Sequence, residues 1–248
     1  MLYRGIIFDF NGTLFHDSEL HEEAWDFVSR ELRGKDLTRE EMNEHVLGRN
    51  NSYIIGFLLG RRLDYYTYTE IRDRKEDIYR RLCLERRLSF HLAPGVEEFL
   101  DKLKEREIPL AIATASNLDN VEFYIEHLKL DKWFKIGNII YDDGTFQGKP
   151  APDIYLRAAK ALDLKPGECV VFEDAPAGIK SACNAGVLKV IVVGNKKELI
   201  NNQFSDNHLS DDKLLSNFLK ANFSLPYNVD LSFIKDFSEI DLETILKK

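Results

Sequence analysis

No apolar run in this 248-residue chain approaches the roughly 18 residues that cross a bilayer, which excludes a transmembrane helix. Cysteine is scarce. Cys83, Cys169 and Cys183 are odd in number and far apart, so neither a disulfide framework nor a cysteine metal site is expected. A basic surplus is missing too: 34 Lys and Arg stand against 42 Asp and Glu, a net charge of −8. That balance argues against nucleic acid or an anionic membrane as the main partner. The first strand-like segment begins at Gly5, which leaves no room for a signal peptide. With buried, reduced thiols this makes the expected location cytoplasmic. What remains is ordinary globular composition, 44% apolar and 31% charged, in a chain long enough for a sizeable core.

Short, nearly continuous apolar runs recur: "GIIFDF" (5–10), "IPLAIATAS" (108–116), "ECVVFEDA" (168–175) and "LKVIVVG" (188–194). Such runs mark strands covered on both faces, as in a parallel sheet. Between them "PGVEEFLDKLKERE", "PDIYLRAAKALDL" and "AGIKSACNAG" carry apolar residues at helical spacing, the first with acids early and bases late to suit the helix dipole. The pattern predicts an α/β fold with a doubly wound parallel sheet. Residues 16–90 break the rhythm. "SELHEEAWDFVSREL", "LTREEMNEHVLG" and "TEIRDRKEDIYRRLCLERRL" all read as helices, so this interval is expected to be a small all-helical domain inserted after the first strand. Residues 1–15 and 91–248 then form the core. The polar, Asn-rich stretch 195–228 is expected to wrap the surface, followed by a last short strand and helix.

Four motifs sit at or near predicted strand ends, the edge where open α/β sheets bind ligands. Asp9 leaves the first strand in "DFNGTL", although Asn-Gly between apolar runs is equally a hairpin signal. Thr114, Ala115, Ser116 and Asn117 end the second strand, where the same residues also suit a helix N-cap. Lys149 in "GKPAPDIY" reads by itself as solvated surface. Glu173 and Asp174 are adjacent carboxylates that repel each other unless a cation or strong donors stand nearby.

Taken in order, Asp-x-Asn-Gly-Thr, strand-Thr, Lys-Pro and Glu-Asp resemble the haloacid dehalogenase (HAD) superfamily of Mg²⁺-dependent phosphotransferases. The helical insertion is similar to the cap of its β-phosphoglucomutase-like subgroup. The resemblance implies that Asp9 is a nucleophile that becomes an aspartyl-phosphate. It implies Mg²⁺ held by the Asp9 carboxylate, the Asn11 main-chain carbonyl, Asp174 and Glu173, a set of oxygens that suits this ion. Thr114 and Lys149 would bind the transferring phosphoryl group, with main-chain N–H groups around Phe10 and Ala115. In the cap, His21, Arg49 and Lys75 fall near positions that contact the rest of the substrate, as do Ser116 and Asn117 in the core. For the cap residues a solvated helix charge is an equal reading.

The chain departs from the family at Asn11, where the motif has a second aspartate that acts as general acid and then base. An amide does neither, and losing a positioned acid/base costs about 10²- to 10⁴-fold. Four explanations stand: an engineered substitution, restriction to activated phosphates, a proton from His16 or His21, or binding without turnover. The expected function is a Mg²⁺-dependent phosphohydrolase of a small phosphorylated metabolite. A phosphoglucomutase-like enzyme and a weakened phosphometabolite-binding protein are the alternatives. A monomer or weak homodimer is expected.

Overall fold

The computed structural model describes residues 3–46, 51–62, 64–86, 88–194, 212–222, 224–226 and 228–247. The chain divides into two compact units, Met1–His16 with Leu92–Lys248, and Asp17–His91.

The larger unit is built on a six-stranded parallel sheet: β1 (Gly5–Phe8), β2 (Leu110–Ala113), β3 (Ile139–Ile140), β4 (Cys169–Glu173), β5 (Lys189–Val193) and β6 (Asp230–Ile234). Their spatial order is β3-β2-β1-β4-β5-β6. Every residue of β1, β2, β4 and β5 is buried, which is why these strands read as unbroken apolar runs rather than alternating ones. Helices α5 (Val96–Glu105), α6 (Leu118–Leu128), α7 (Asp153–Ala161) and α8 (Pro176–Asn184) connect the strands. Alternation along each strand sends side chains to opposite faces. Ile7, Ala111, Val171 and Val190 enter one apolar layer with Ile154 and Ala158 of α7 and Ile179 and Ala182 of α8. On β1 and β4 the neighbouring positions carry Phe8 and Phe172, whose rings stack 5.0 Å apart and meet Phe99 and Phe237. Burying one such ring stabilises the fold by about 1.5–3 kcal/mol. The cluster lies one residue below both Asp9 and Glu173, so the strand ends that carry them rest on a rigid base.

The C-terminal region corrects one expectation. Residues 195–211 lie outside those described, but Asp212–Asn222 forms helix α9. Its Leu215 and Leu219 join Leu225, Val229 and Leu231 in the apolar layer. This part of the stretch is core rather than wrapping, because two leucines four apart give α9 one apolar face. The last strand and helix fall as expected, as β6 and α10 (Leu242–Leu246).

The smaller unit is all helical: α1 (Ser18–Arg33), α2 (Arg39–His45), α3 (Asn51–Leu59) and α4 (Tyr65–Glu85). Helix α2 opens on a capping box in which Thr38 and Glu41 exchange side-chain and backbone bonds. Gly34 ends α1 at φ 74°, a left-handed conformation that suits glycine. Helix α1 packs along α4, and α3 leans on both.

Candidate active site

The strand order sets the site. β1 lies between β2 and β4, so the residues that follow all three emerge side by side on the carboxyl edge. Asp9 continues the ladder by donating its N–H to Phe172 O (2.9 Å). The chain then folds tightly on itself rather than into a hairpin: Phe10 O accepts from the N–H groups of Leu14 (2.9 Å) and Phe15 (3.0 Å), and Gly12 N–H donates to Phe15 O (2.7 Å). Gly12 holds φ +83°, and a Cβ there would come within 2.1 Å of Asp174 Oδ2. Only glycine fits.

Lys149 is the hub of the charged side. Its ammonium donates to Asp9 Oδ1 (2.5 Å) and to Glu173 Oε1 (2.6 Å). The loop that carries it is tied to α8, where Ser181 donates to Ala151 O (2.5 Å) and Asn184 to Pro150 O (2.9 Å). Glu173 is locked further. Tyr155 donates its hydroxyl to Oε1 (2.9 Å), and the N–H groups of Asp174 and Ala175 both donate to Oε2 (2.9 Å). Gly178 makes room for this carboxylate: a Cβ would sit 1.6 Å from Oε1. Thr13 donates to Asp174 Oδ1 (3.0 Å).

Asp9, Glu173 and Asp174 each bring a carboxylate oxygen within 4.8 Å of the others. Three carboxylates around one ammonium leave surplus negative charge. Burial holds the Asp9 carboxyl well above the ordinary range; Lys149 pulls it down, while Glu173 and Asp174 push it up. Burial, then Glu173, raises Asp174 to about 7. Burial works against the Lys149 charge, but Asp9 and Glu173 outweigh it and keep the ammonium above the usual lysine range. Burial and then Glu173 push the Tyr155 phenol well up, so it stays a donor. A cluster of hard oxygens with excess negative charge and glycine-cleared space is the donor set that a small divalent cation such as Mg²⁺ takes.

The neutral side holds Asn11. Its Oδ1 accepts from Thr114 Oγ1 (3.1 Å) and Ser116 Oγ (2.8 Å), and its Nδ2 donates to Tyr124 (3.1 Å). Phe10 is buried with its ring stacked 4.5 Å from that of Tyr124, and Ala115 lies exposed in the turn before α6. Asn117 takes the helix role: its Oδ1 accepts the Asn120 N–H (3.0 Å) and caps α6.

In the smaller unit, Lys75 is buried rather than solvated. Its ammonium donates to His21 Nδ1 (2.7 Å) and Glu76 Oε1 (3.0 Å), between the rings of Trp25 and Tyr79. An ammonium only donates, so Nδ1 is the acceptor and the ring proton belongs on Nε2, 3.2 Å from Asp17 Oδ2. Arg49 lies outside the described residues. Sequence reasoning missed Thr13, Tyr124, Tyr155 and Gly178. The tyrosines are spaced like core residues of their helices, whereas the threonine that closes Asp-x-Asn-Gly-Thr and the glycine after "EDAPA" each offered a signal.

The haloacid dehalogenase-like hydrolase family matches residues 3–186. A phosphorylated carbohydrates phosphatase of Thermotoga maritima is 30% identical over 189 residues, 75% of this chain and 82% of its own. The β-phosphoglucomutase of Bacillus subtilis is 31% identical over 194 residues, again 75% and 82% of the two chains. Among solved structures, a HAD hydrolase of family IA from Entamoeba histolytica shares 32% identity at a TM-score of 0.80, covering 98% of this chain and 97% of that one. An Asp-to-Asn mutant of CbbY from Rhodobacter sphaeroides, in complex with xylulose-1,5-bisphosphate, shares 25% identity at a TM-score of 0.75, with both chains covered fully (100%). The chain is a member of the haloacid dehalogenase-like hydrolase family, with the α/β core of its solved members and a helical unit inserted after the first strand.

Proposed function

We propose that this chain is a Mg²⁺-dependent phosphohydrolase acting on a small phosphorylated metabolite through a phosphorylated Asp9. The observation that carries the reading is the Lys149 bridge, which holds Asp9 and Glu173 together beside Asp174 at the edge of three adjacent strands. A relative named for phosphorylated carbohydrates and a solved relative in complex with a bisphosphate support a small phosphorylated molecule as the broad substrate class.

In this reading Asp9 attacks phosphorus, positioned by Lys149 and by the backbone bond to Phe172. Lys149 neutralises the phosphoryl oxygens, and the Thr114 hydroxyl orients them by turning its proton away from Asn11 Oδ1. Asp9, Asp174, Glu173 and the Asn11 carbonyl would hold Mg²⁺, which when bound offsets charge on the transferring group. Glu173 is the fixed member, because its oxygens accept from Lys149, Tyr155 and two backbone N–H groups. The mutase alternative requires proton transfers to and from sugar hydroxyls, for which the Asn11 amide is unsuited.

With Mg²⁺ and acetyl phosphate or p-nitrophenyl phosphate, turnover is expected and EDTA abolishes it. Asp9→Ala removes activity entirely. Full activity in that variant would show that the nucleophile lies elsewhere. Tight phosphosugar binding without phosphate release would favour a binding protein.

A further inference from the structure

The groups around Asp9 separate by chemistry. One side holds Lys149, Glu173, Tyr155 and Asp174, linked by charge. The other holds Asn11, Thr114, Ser116 and Tyr124, all neutral. The amide is held from both ends by hydroxyls: Oδ1 meets those of Thr114 and Ser116, and Nδ2 meets that of Tyr124. Tyr124, which receives the Nδ2 hydrogen, is itself immobilised: it is buried, stacked on Phe10 and edge-on to Phe15. An amide and three hydroxyls neither take up nor release a proton readily near neutral pH.

The two halves of a transfer through Asp9 feel this differently. In the first, a carboxylate oxygen of Asp9 bonds to phosphorus, the bond from phosphorus to the leaving oxygen breaks, and that oxygen departs with the electron pair. A leaving group that is stable as an anion needs no proton. In the second, a water oxygen bonds to phosphorus and the bond to Asp9 breaks, returning its pair to the carboxylate. The water proton must then be accepted. The Lys149 ammonium has no lone pair and is engaged by Asp9 and Glu173, and Glu173 Oε1 already accepts from two donors. None of Asn11, Thr114, Ser116 and Tyr124 takes it up, so the proton passes to solvent or to the phosphate released.

We propose, building on the phosphohydrolase reading, that the Asn11–Ser116–Tyr124 wall makes this enzyme form its aspartyl-phosphate faster than it hydrolyses it. Phosphorylated Asp9 is the form that accumulates during turnover. The substrates it serves are those whose leaving group departs as a stable anion: acyl phosphates, aryl phosphates and phosphoanhydrides.

Rapid mixing with p-nitrophenyl phosphate in Mg²⁺ buffer tests this on the unaltered protein. The expected trace is a burst of p-nitrophenolate near one equivalent per chain, then a slower steady phase. Acid quenching and peptide mass analysis should find the phosphate on Asp9. Glycerol 3-phosphate, an alkyl ester, should turn over about 10²- to 10⁴-fold more slowly than p-nitrophenyl phosphate. Asn11→Asp should raise the steady rate by a comparable factor and remove the burst. Steady turnover with no burst and no labelled Asp9 would overturn the proposal, as would equal rates on the two esters. A protein that releases no p-nitrophenolate in either phase, and takes no label from acetyl phosphate, would bring down the phosphohydrolase reading itself.

Discussion

Lys149 in one unit and Lys75 in the other are both largely withdrawn from solvent, and the company each keeps is different. Lys149 faces two carboxylates directly and a third close by, so its surroundings carry more negative charge than it cancels. Lys75 faces one carboxylate, one neutral imidazole nitrogen and two aromatic faces. Behind the second set stands Asp17, held by the far nitrogen of His21 and by the Tyr79 hydroxyl, so its two carboxylates keep separate partners. The first gathers three carboxylates within 4.8 Å of one another, an arrangement that suits the metal and phosphoryl group of the proposed function. Burial of a charge is therefore a weak guide to chemistry, and a crowd of like charges is a better one.

Removing either lysine should expose this contrast. Lys75→Met strands the Glu76 carboxylate inside the smaller unit and should cost about 3–5 kcal/mol in denaturant unfolding. The double variant with Glu76→Leu should recover most of it; a double variant no better than the single one would show that Glu76 was not the stranded charge. The charge surplus of the other site should appear in metal-free protein as a dependence on pH. Asp174 titrates near 7 in the folded state against an ordinary value of 3.8, so the folded protein binds more protons between these limits. The contribution of this carboxyl to stability should be most favourable below about pH 4 and fall as pH rises to 7, by at most roughly 4 kcal/mol and by less for a half-buried, partly screened carboxyl. Saturating Mg²⁺ should flatten the curve, and an unchanged slope would argue that no cation relieves this cluster.

Lys149→Met should lower kcat/KM by about 10²- to 10³-fold with the fold intact by circular dichroism. A loss below tenfold would remove Lys149 from phosphoryl binding. The smallest effect belongs to an ion pair near the surface. Arg33 holds Glu41 down to about 2, helped by the Thr38 N–H. Its contribution is present above the ordinary glutamate value of 4.5 and is lost on acidification through about 2. Arg33→Ala should cost about 0.5–1 kcal/mol at pH 7 and almost nothing at pH 2.

What could be read from the residues alone depended on run length and on chemistry confined to short motifs. β1, β2, β4 and β5 announce themselves because strands buried on both faces must be apolar throughout. β3 is two residues long and leaves no pattern. Helix α3 ("NSYIIGFLL") contains no charged residue, so it lacks the polar stripe by which its neighbours are recognised. In the candidate site, Asp9, Lys149, Glu173 and Asp174 were legible as strand-end motifs, and the fold brings them together. Asn11 was legible as an anomaly but not as a fixed one. Its restraint comes from Tyr124, 113 positions away, and a tyrosine in a helix looks the same whether it fills space or anchors an amide. Lys75 shows the reverse error, since a basic residue in a charge-rich helix reads as solvated until Trp25 and Tyr79 enclose it.

The position of α9 and β6 limits how this protein can be divided. The stretch that matches its family ends at residue 186, ahead of β5, β6 and α9. A chain stopped there would leave β4 with a bare row of N–H and C=O groups on the side where β5 pairs. It would also uncover the apolar layer that Leu215, Leu219 and Leu231 close. An exposed, fully apolar strand edge templates pairing with other chains, so such a fragment should aggregate rather than fold, however complete its catalytic residues. The segment with the least to say about chemistry is what keeps the chemistry in solution.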